Sequence, residues 1–164
     1  MTPKTKKRLC VVILLAVAAT AVLFLLFRPR TFAQTMGPDY DPRQIQEITA
    51  SLSPVKRDEP SRHVILAPGD PATKEFLTLL ESHTYPPVYS DVGGHPVTLD
   101  YKVTLFIPFQ EETGSAAFLS FTGNPQIQIF VFGTTSAGTY KLSEAAQQEL
   151  LDLLLKQPYE EQTQ

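Results

Sequence analysis

An uncharged apolar run of 19 residues, Leu9–Phe27, is the feature that most constrains this chain of 164 residues. A helix rises about 1.5 Å per residue, so one of this length crosses a hydrocarbon core of about 30 Å. The run contains neither a charged residue nor a proline. The sequence therefore predicts a transmembrane helix over residues 9–27, and with it a protein that is bound to a membrane.

A cleaved signal peptide is the competing interpretation of the same run. The apolar region of a signal peptide is usually about 7–15 residues long and ends at a small-residue cleavage site. Ala19 and Ala21 have the required size, but a cut there would leave the apolar segment 22–27 at the new N-terminus. A cut after Ala33, with Thr31 as the other small residue, is the second option. The length of the run favours an uncleaved anchor.

Charge is distributed unequally along the chain. Four basic residues lie in residues 1–8, whereas two, Arg28 and Arg30, follow the apolar run. The positive-inside rule then predicts that residues 1–8 form a cytoplasmic basic tail and that the C-terminal domain lies outside, at the cell membrane. The residues after Arg30 include 8 basic and 17 acidic side chains, a balance of −9. This balance excludes nucleic acid as a partner, because phosphate backbones bind clustered Lys and Arg.

The remaining residues predict a short stalk and one folded domain. Residues 31–43 combine a glycine, two prolines and two aspartates without apolar periodicity, so we expect a stalk over residues 28–43. Residues 44–158 are numerous enough to form one core without disulfides. The single cysteine, Cys10, lies within the apolar run. We expect the polar tail, residues 159–164, to be flexible.

Periodicity within residues 44–158 predicts an α+β fold. Ile48–Leu52 and His63–Ala67 are typical of strands. Asp70, followed by Pro71, predicts the start of a helix over about 71–83, and Ser143 caps a second helix over about 143–156. Both helices have an apolar stripe that packs on a sheet. Segments 86–96 and 133–140 are predicted to be loops.

The alternation of apolar and polar residues is strongest between residues 97 and 132. It predicts a three-stranded antiparallel meander over about 97–107, 116–122 and 126–132. Folding the chain about Asn124, and about Glu112 in the polar loop 110–115, pairs odd residues with odd residues in both cases. Because the odd residues are apolar, the meander has one apolar face that two helices can cover.

The even-numbered face of this meander carries an unexpected set of aromatic residues. The same register places Phe106, Phe118 and Phe130 side by side, with Phe132 beside Ala116. Fully exposed, such a row has the size of the apolar patches that mark interaction sites; the alternative is a loop or helix that covers it. Phe106, Phe118, Phe130 and Phe132 are therefore the candidate interaction surface.

The sequence contains no recognisable catalytic, metal-binding or cofactor-binding pattern. His63, His83 and His95 have spacings that match no metal motif. Adjacent carboxylates occur at 58–59, 111–112 and 160–161, in polar segments where they are expected to face water. We therefore assign no catalytic residue, metal ligand or cofactor. The alternative is a small hydrolase or metal-dependent enzyme that uses a histidine with an acidic neighbour.

Two segments flank the meander. The first, a strand and a capped helix, is HVILAPGDPATKEFLTLLE at 63–81, and the second, which contains the final helix, is GTYKLSEAAQQELLDLLL at 138–155. Over residues 44–157 this order resembles that of small, uncharacterised single-span extracytoplasmic α+β proteins of Gram-positive bacteria. The resemblance implies a module carried on a stalk outside the membrane, and it implies no site residue. We therefore expect a non-enzymatic binding or sensing module with an envelope protein as its partner.

Overall fold

The structure, a computed structural model, describes residues 3–45, 47–56, 59–89, 97–110, 114–132 and 137–162. Helix α1 spans Pro3–Phe27, and its segment Cys10–Phe27 is the one helix among the described residues that is long and apolar enough to cross a membrane. The rest of the chain buries none of this segment. A signal sequence near the N-terminus has the same length and composition, and both interpretations of α1 are compatible with the structure.

An α+β domain follows α1, as the sequence predicts. Its helices are α2 (Phe32–Met36), α3 (Pro71–Ser82) and α4 (Glu144–Leu155), with a 3-10 turn at Pro42–Gln44. Its strands are β1 (Arg30–Thr31), β2 (Ile48–Pro54), β3 (Ser61–Leu66), β4 (Thr84–Tyr85), β5 (Pro87–Val88), β6 (Tyr101–Gln110), β7 (Ser115–Phe121), β8 (Gln126–Phe132), β9 (Ala137–Lys141) and β10 (Glu160–Gln162). Strands β1 and β4 pair with each other, and the other eight form one antiparallel sheet in the order β10-β3-β2-β6-β7-β8-β9-β5.

The meander β6-β7-β8 confirms the predicted pairing of odd residues with odd residues. Leu105 lies opposite Leu119, which lies opposite Ile129 on the next strand. The first strand begins at Tyr101 instead of residue 97, because the chain bends where the amides of Thr98 and Leu99 donate to the Thr122 carbonyl. The midpoint of the predicted loop 110–115 lies in residues 111–113, outside the described residues.

Helices α3 and α4 cover one face of the sheet, as predicted. Each begins at the expected cap: Asp70 Oδ1 accepts from the Ala72 amide at 2.9 Å, and Ser143 Oγ accepts from the Ala146 amide at 3.2 Å. The helices contribute four fully buried apolar side chains to the same core as the strands, namely Phe76, Leu80, Leu150 and Leu154. The apolar side of the sheet is therefore packed against α3 and α4.

The prediction of a stalk over residues 28–43 is wrong. Thr31 caps α2 in a capping box with Gln34, and this five-residue helix places Phe32 and Met36 in the core with no exposed surface. Phe32 lies against Tyr40 and Tyr85, with ring centroids 5.6 and 5.7 Å apart. Two apolar residues four apart make a single helical turn, too short to stand out as a periodicity. The domain therefore begins at β1, directly after α1.

Two segments predicted as irregular contain sheet strands. Strand β9 occupies the second half of the segment 133–140, and residues 133–136 lie outside the described residues. Strand β10 pairs with β3, so the tail is not free at residues 160–162, and residues 163–164 are outside the described residues. Strands β9 and β10 have five and three residues, and backbone pairing needs no apolar side chains, so neither strand shows a pattern. Strand β5 lies in the predicted loop 86–96, whose Gly93-Gly94 turn is not among the described residues.

A buried glutamine joins the β7–β8 turn to α4. Gln147 has no exposed surface, and its Oε1 accepts from the Gly123 amide at 2.8 Å. Its Nε2 donates to the carbonyls of Leu142, at 2.9 Å, and of Asn124. Gly123 has a φ of 84°, and a side-chain carbon there would lie 2.7 Å from the Leu99 amide nitrogen. The β7–β8 turn is therefore held by the hydrogen bonds of Gln147 and by the close approach of Leu99 to Gly123.

Candidate interaction surface

The aromatic row, Phe106, Phe118, Phe130 and Phe132, lies on the sheet face opposite α3 and α4, which we call the open face. Register places the first three directly beside one another on β6, β7 and β8. The ring centroids of Phe106 and Phe118 are 4.9 Å apart, and those of Phe118 and Phe132 are 5.2 Å apart. The predicted juxtaposition is present, and the rings make the tilted and edge-on contacts that aromatic pairs prefer.

The aromatic row is accessible to solvent at its β8 end. Phe130 is 46% exposed and Phe132 is 54% exposed, whereas Phe106 and Phe118 are half-buried by their neighbours. Helices α2, α3 and α4 all lie on the other side of the sheet, and no described element covers the two exposed rings. Among the described residues, the row is therefore a surface feature and is not part of a second core.

Ile65 extends this apolar surface, and sequence reasoning missed it. It lies opposite Thr49 on β2, which lies opposite Phe106 on β6, and its side chain is 52% exposed. The alternation His63-Val64-Ile65-Leu66 indicates a strand but not which strand it pairs with. Strand β2 lies between β3 and β6, which are far apart in the sequence, so only the sheet order brings Ile65 to the row.

The other half of the open face is polar but nearly uncharged. Register aligns Ser51, Thr104, Ser120, Gln128 and Thr139 in a row across five strands. Ionisable side chains at the outward positions of the described strands are limited to His63, Lys102, Lys141 and Glu160. Helices α3 and α4, in contrast, carry Glu75, Glu81, Glu144, Glu149 and Asp152. Among the described residues, α3 and α4 therefore carry more acidic side chains than the open face does.

The open face approaches the size of a standard protein interface. Its eight strands contain 47 residues in all, and at about 3.3 Å per residue and roughly 4.8 Å between strands they give a face on the order of 750 Å². A standard protein interface buries about 800 Å² on each partner. The open face is therefore comparable in area to one side of a protein interface and carries few ionisable side chains.

Among the described residues, neither His63 nor His83 meets an acid and a hydroxyl in a cleft. His63 lies between Ser51 and Glu160 in register, on the open face, but among the described residues it hydrogen-bonds to neither. His83 is the C-cap residue of α3, where its buried Nε2 has no hydrogen-bond partner within the described structure. His95 lies outside the described residues. The alternative of a histidine-based enzyme gains no geometric support here.

Metal-binding side chains are likewise not gathered. The described part of the chain contains no group of three or more His, Cys, Asp or Glu side chains that could hold a metal ion. Comparison of this chain with protein-family models, with curated proteins and with solved structures finds no match. The open face and α1 are therefore the features of this chain that bear on its function.

Proposed function

We propose that this chain is a membrane-anchored, non-enzymatic binding module that lies outside the cytoplasm and binds an envelope protein through the open face of its sheet. The observation that carries the proposal is the exposure of Phe130 and Phe132 on a sheet face with few charged residues. A soluble domain gains by covering such rings, because about 25 cal/mol is gained per Å² of apolar surface removed from water. A bound partner that covers Phe130 and Phe132 therefore explains why these rings are kept at the surface.

A protein fits this surface better than a charged polymer or an anionic membrane does. The centres of protein interfaces are depleted of charge and enriched in aromatic residues, and their rims are polar. The open face has this composition: the aromatic row is bordered by Ser, Thr and Gln side chains. The partner that we propose has an apolar contact surface without a buried charge, because the aromatic row offers no counter-charge.

The membrane anchor and the orientation are supported by the sequence on either side of α1. Residues 1–8 contain four basic residues and no acidic ones, whereas the segment after Arg30 is strongly acidic. Basic residues remain on the cytoplasmic side of an inserted helix, so this asymmetry favours a domain on the outer side. The proposed partner is therefore a component of the envelope or of the outer membrane surface.

Photo-crosslinking in intact cells tests the proposal. We expect p-benzoylphenylalanine at position 132 to give one discrete adduct with another protein on irradiation, because the substituted ring keeps the aromatic shape at the exposed end of the row. The control places the same amino acid at Tyr159, which is 43% exposed but does not belong to the row. Combining the position 132 probe with Phe130→Ser is expected to abolish the adduct, since the neighbouring ring is lost.

Each other outcome contradicts the proposed partner. An adduct of twice the chain's mass that contains only this chain identifies a second copy as the occupant. Adducts with lipid alone identify the membrane as the occupant. The absence of any adduct at position 132, equal adducts at positions 132 and 159, or an adduct that survives Phe130→Ser removes the aromatic row as a binding surface.

A further inference from the structure

A cavity of about 650 Å³ lies beside the last turns of α1, and we call it the base cavity. It is lined by residues from the helix end and from the segment that was predicted as a stalk, chiefly Leu25, Arg28, Arg30, Ala33, Gln34 and Tyr40. Its volume falls within the range of about 300–1,000 Å³ that is typical of small-ligand sites. The base cavity is separate from the open face, because its walls are α1, α2 and the loop that follows.

Two arginines, Arg28 and Arg30, line this cavity. Arg28 continues the hydrogen bonding of α1, since its amide donates to the Phe24 carbonyl at 3.0 Å, and Arg30 is held in β1 opposite Tyr85. Among the described residues, no carboxylate forms a salt bridge with either guanidinium group. A domain with a balance of −9 after residue 30 has many acidic groups that could neutralise them. Of the residues that line the base cavity, Arg28 and Arg30 are the charged ones.

Two acidic side chains, Glu81 and Asp41, act on Tyr40 at the edge of this cavity, and Asp41 Oδ1 accepts from the Arg43 amide at 2.9 Å. The Tyr40 hydroxyl donates to Glu81 Oε1 at 3.3 Å. Burial raises the pKa of Tyr40 well above its usual value, and the negative charge of Glu81 raises it further. Tyr40 therefore stays protonated near neutral pH and keeps its hydrogen bond to Glu81.

The base cavity lies at the level where the apolar helix ends. The Tyr89 hydroxyl donates to the Leu26 carbonyl at 2.6 Å, and the Tyr89 ring lies edge-on to Phe27 with centroids 5.0 Å apart. Tyrosines at this depth are typical of the headgroup region of a bilayer. Leu25 and Arg28 are three residues apart, so both lie on the same side of α1, the apolar one toward the hydrocarbon and the basic one toward the headgroups.

We infer that the base cavity binds the phosphate group of a phospholipid whose acyl chains lie along α1 at Leu25. The guanidinium group donates two parallel hydrogen bonds to phosphate oxygens, and Arg28 and Arg30 together supply the charge for one phosphodiester. The inference rests on the membrane anchor of the proposed function, but it does not involve the aromatic row. The chemistry that it requires is a phosphate, from a lipid headgroup and not from a soluble phosphate.

Native mass spectrometry of the delipidated full chain, in a detergent without phosphate, tests this inference. We expect adducts with phosphatidylglycerol and none with diacylglycerol, which has the same acyl chains but no phosphate. The double substitution R28Q/R30Q is expected to weaken the phosphatidylglycerol adduct by on the order of tenfold or more, because both neighbouring charges are lost. Arg43→Gln is the matched control, since Arg43 is exposed in the 3-10 turn and does not line the cavity.

Three results would overturn the inference. The first is an adduct that R28Q/R30Q leaves unchanged, and the second is an equal loss with Arg43→Gln. The third is displacement of the lipid by inorganic phosphate or glycerol phosphate at millimolar concentration, which identifies a site for a soluble phosphate. A urea titration of R28Q/R30Q that matches the unsubstituted chain shows that the fold is intact. The position 132 adduct is expected to persist in R28Q/R30Q, so failure here is distinguishable from failure of the proposed function.

Discussion

Phe32→Ala is expected to lower the free energy of unfolding of the full chain by about 3–5 kcal/mol, which is the usual cost of removing a buried phenyl ring. Phe32 has no exposed surface and lies between Tyr40 and Tyr85, and Tyr40 in turn contacts Phe109 of β6 with centroids 5.7 Å apart. The substitution leaves a cavity where the segment after α1 joins the sheet. Urea titration of the chain in detergent measures the change; the reporter is the fluorescence of its six tyrosines, since it has no tryptophan.

The matched control for Phe32 is the same substitution at an exposed ring. Phe132→Ala removes a phenyl group that is 54% exposed, so we expect a loss below about 1 kcal/mol. If residues 28–43 were a stalk outside the domain, Phe32→Ala would cost no more than Phe132→Ala. Equal and small losses for the two variants would therefore refute the described packing of α2.

Gln147→Leu is expected to destabilise the chain by roughly 3–6 kcal/mol, although leucine has a similar volume. The side chain satisfies the Gly123 amide and the carbonyls of Asn124 and Leu142, and each buried polar group left without a partner costs about 1–3 kcal/mol. The hydrophobic gain of leucine offsets only part of this loss. The same urea titration measures the effect.

Gln148→Leu is the control for this substitution because the residue is adjacent on α4 but exposed. Its Nε2 donates to Asp152 Oδ1 at 2.7 Å, one turn along the helix, and such pairs contribute only a few tenths of a kcal/mol. A Gln147→Leu variant that unfolds at the same urea concentration as Gln148→Leu would show that the β7–β8 turn does not depend on Gln147.

Much of the fold could be predicted because its signals are local. Asp70 with Pro71, and Ser143, are caps that act within one helical turn, and they set the start of α3 and α4 to within one residue. The meander has short connections, so its register follows from alternation and turn position alone. The edge strands β5 and β10 are two and three residues long and pair through backbone groups with strands distant in sequence, so no side-chain pattern predicts them. Strand β9 pairs with the preceding strand β8, but its five residues are too few to give a clear alternation.

The sequence predicts which aromatic residues lie side by side on the candidate surface, but it does not predict whether they are exposed. The positions of Phe106, Phe118 and Phe130 follow from the register of neighbouring strands. Whether another element covers them depends on which side α3 and α4 pack, and that is decided by the apolar odd-numbered face. Arg28 and Arg30 were recognised only as flanking charges, since the base cavity is lined in part by Ala33 and Gln34 of α2, a helix that the sequence did not predict.

The central claim is that a partner occupies the open face. Hydroxyl-radical labelling tests it most directly, by comparing the full chain in native membranes with the chain purified in detergent. In the purified chain we expect Phe130 and Phe132 to be oxidised readily, as befits their exposure. In native membranes we expect several-fold slower oxidation of these two rings, with Tyr159 unchanged as the internal reference. Equal rates for Phe130 and Phe132 in the two settings would contradict the claim.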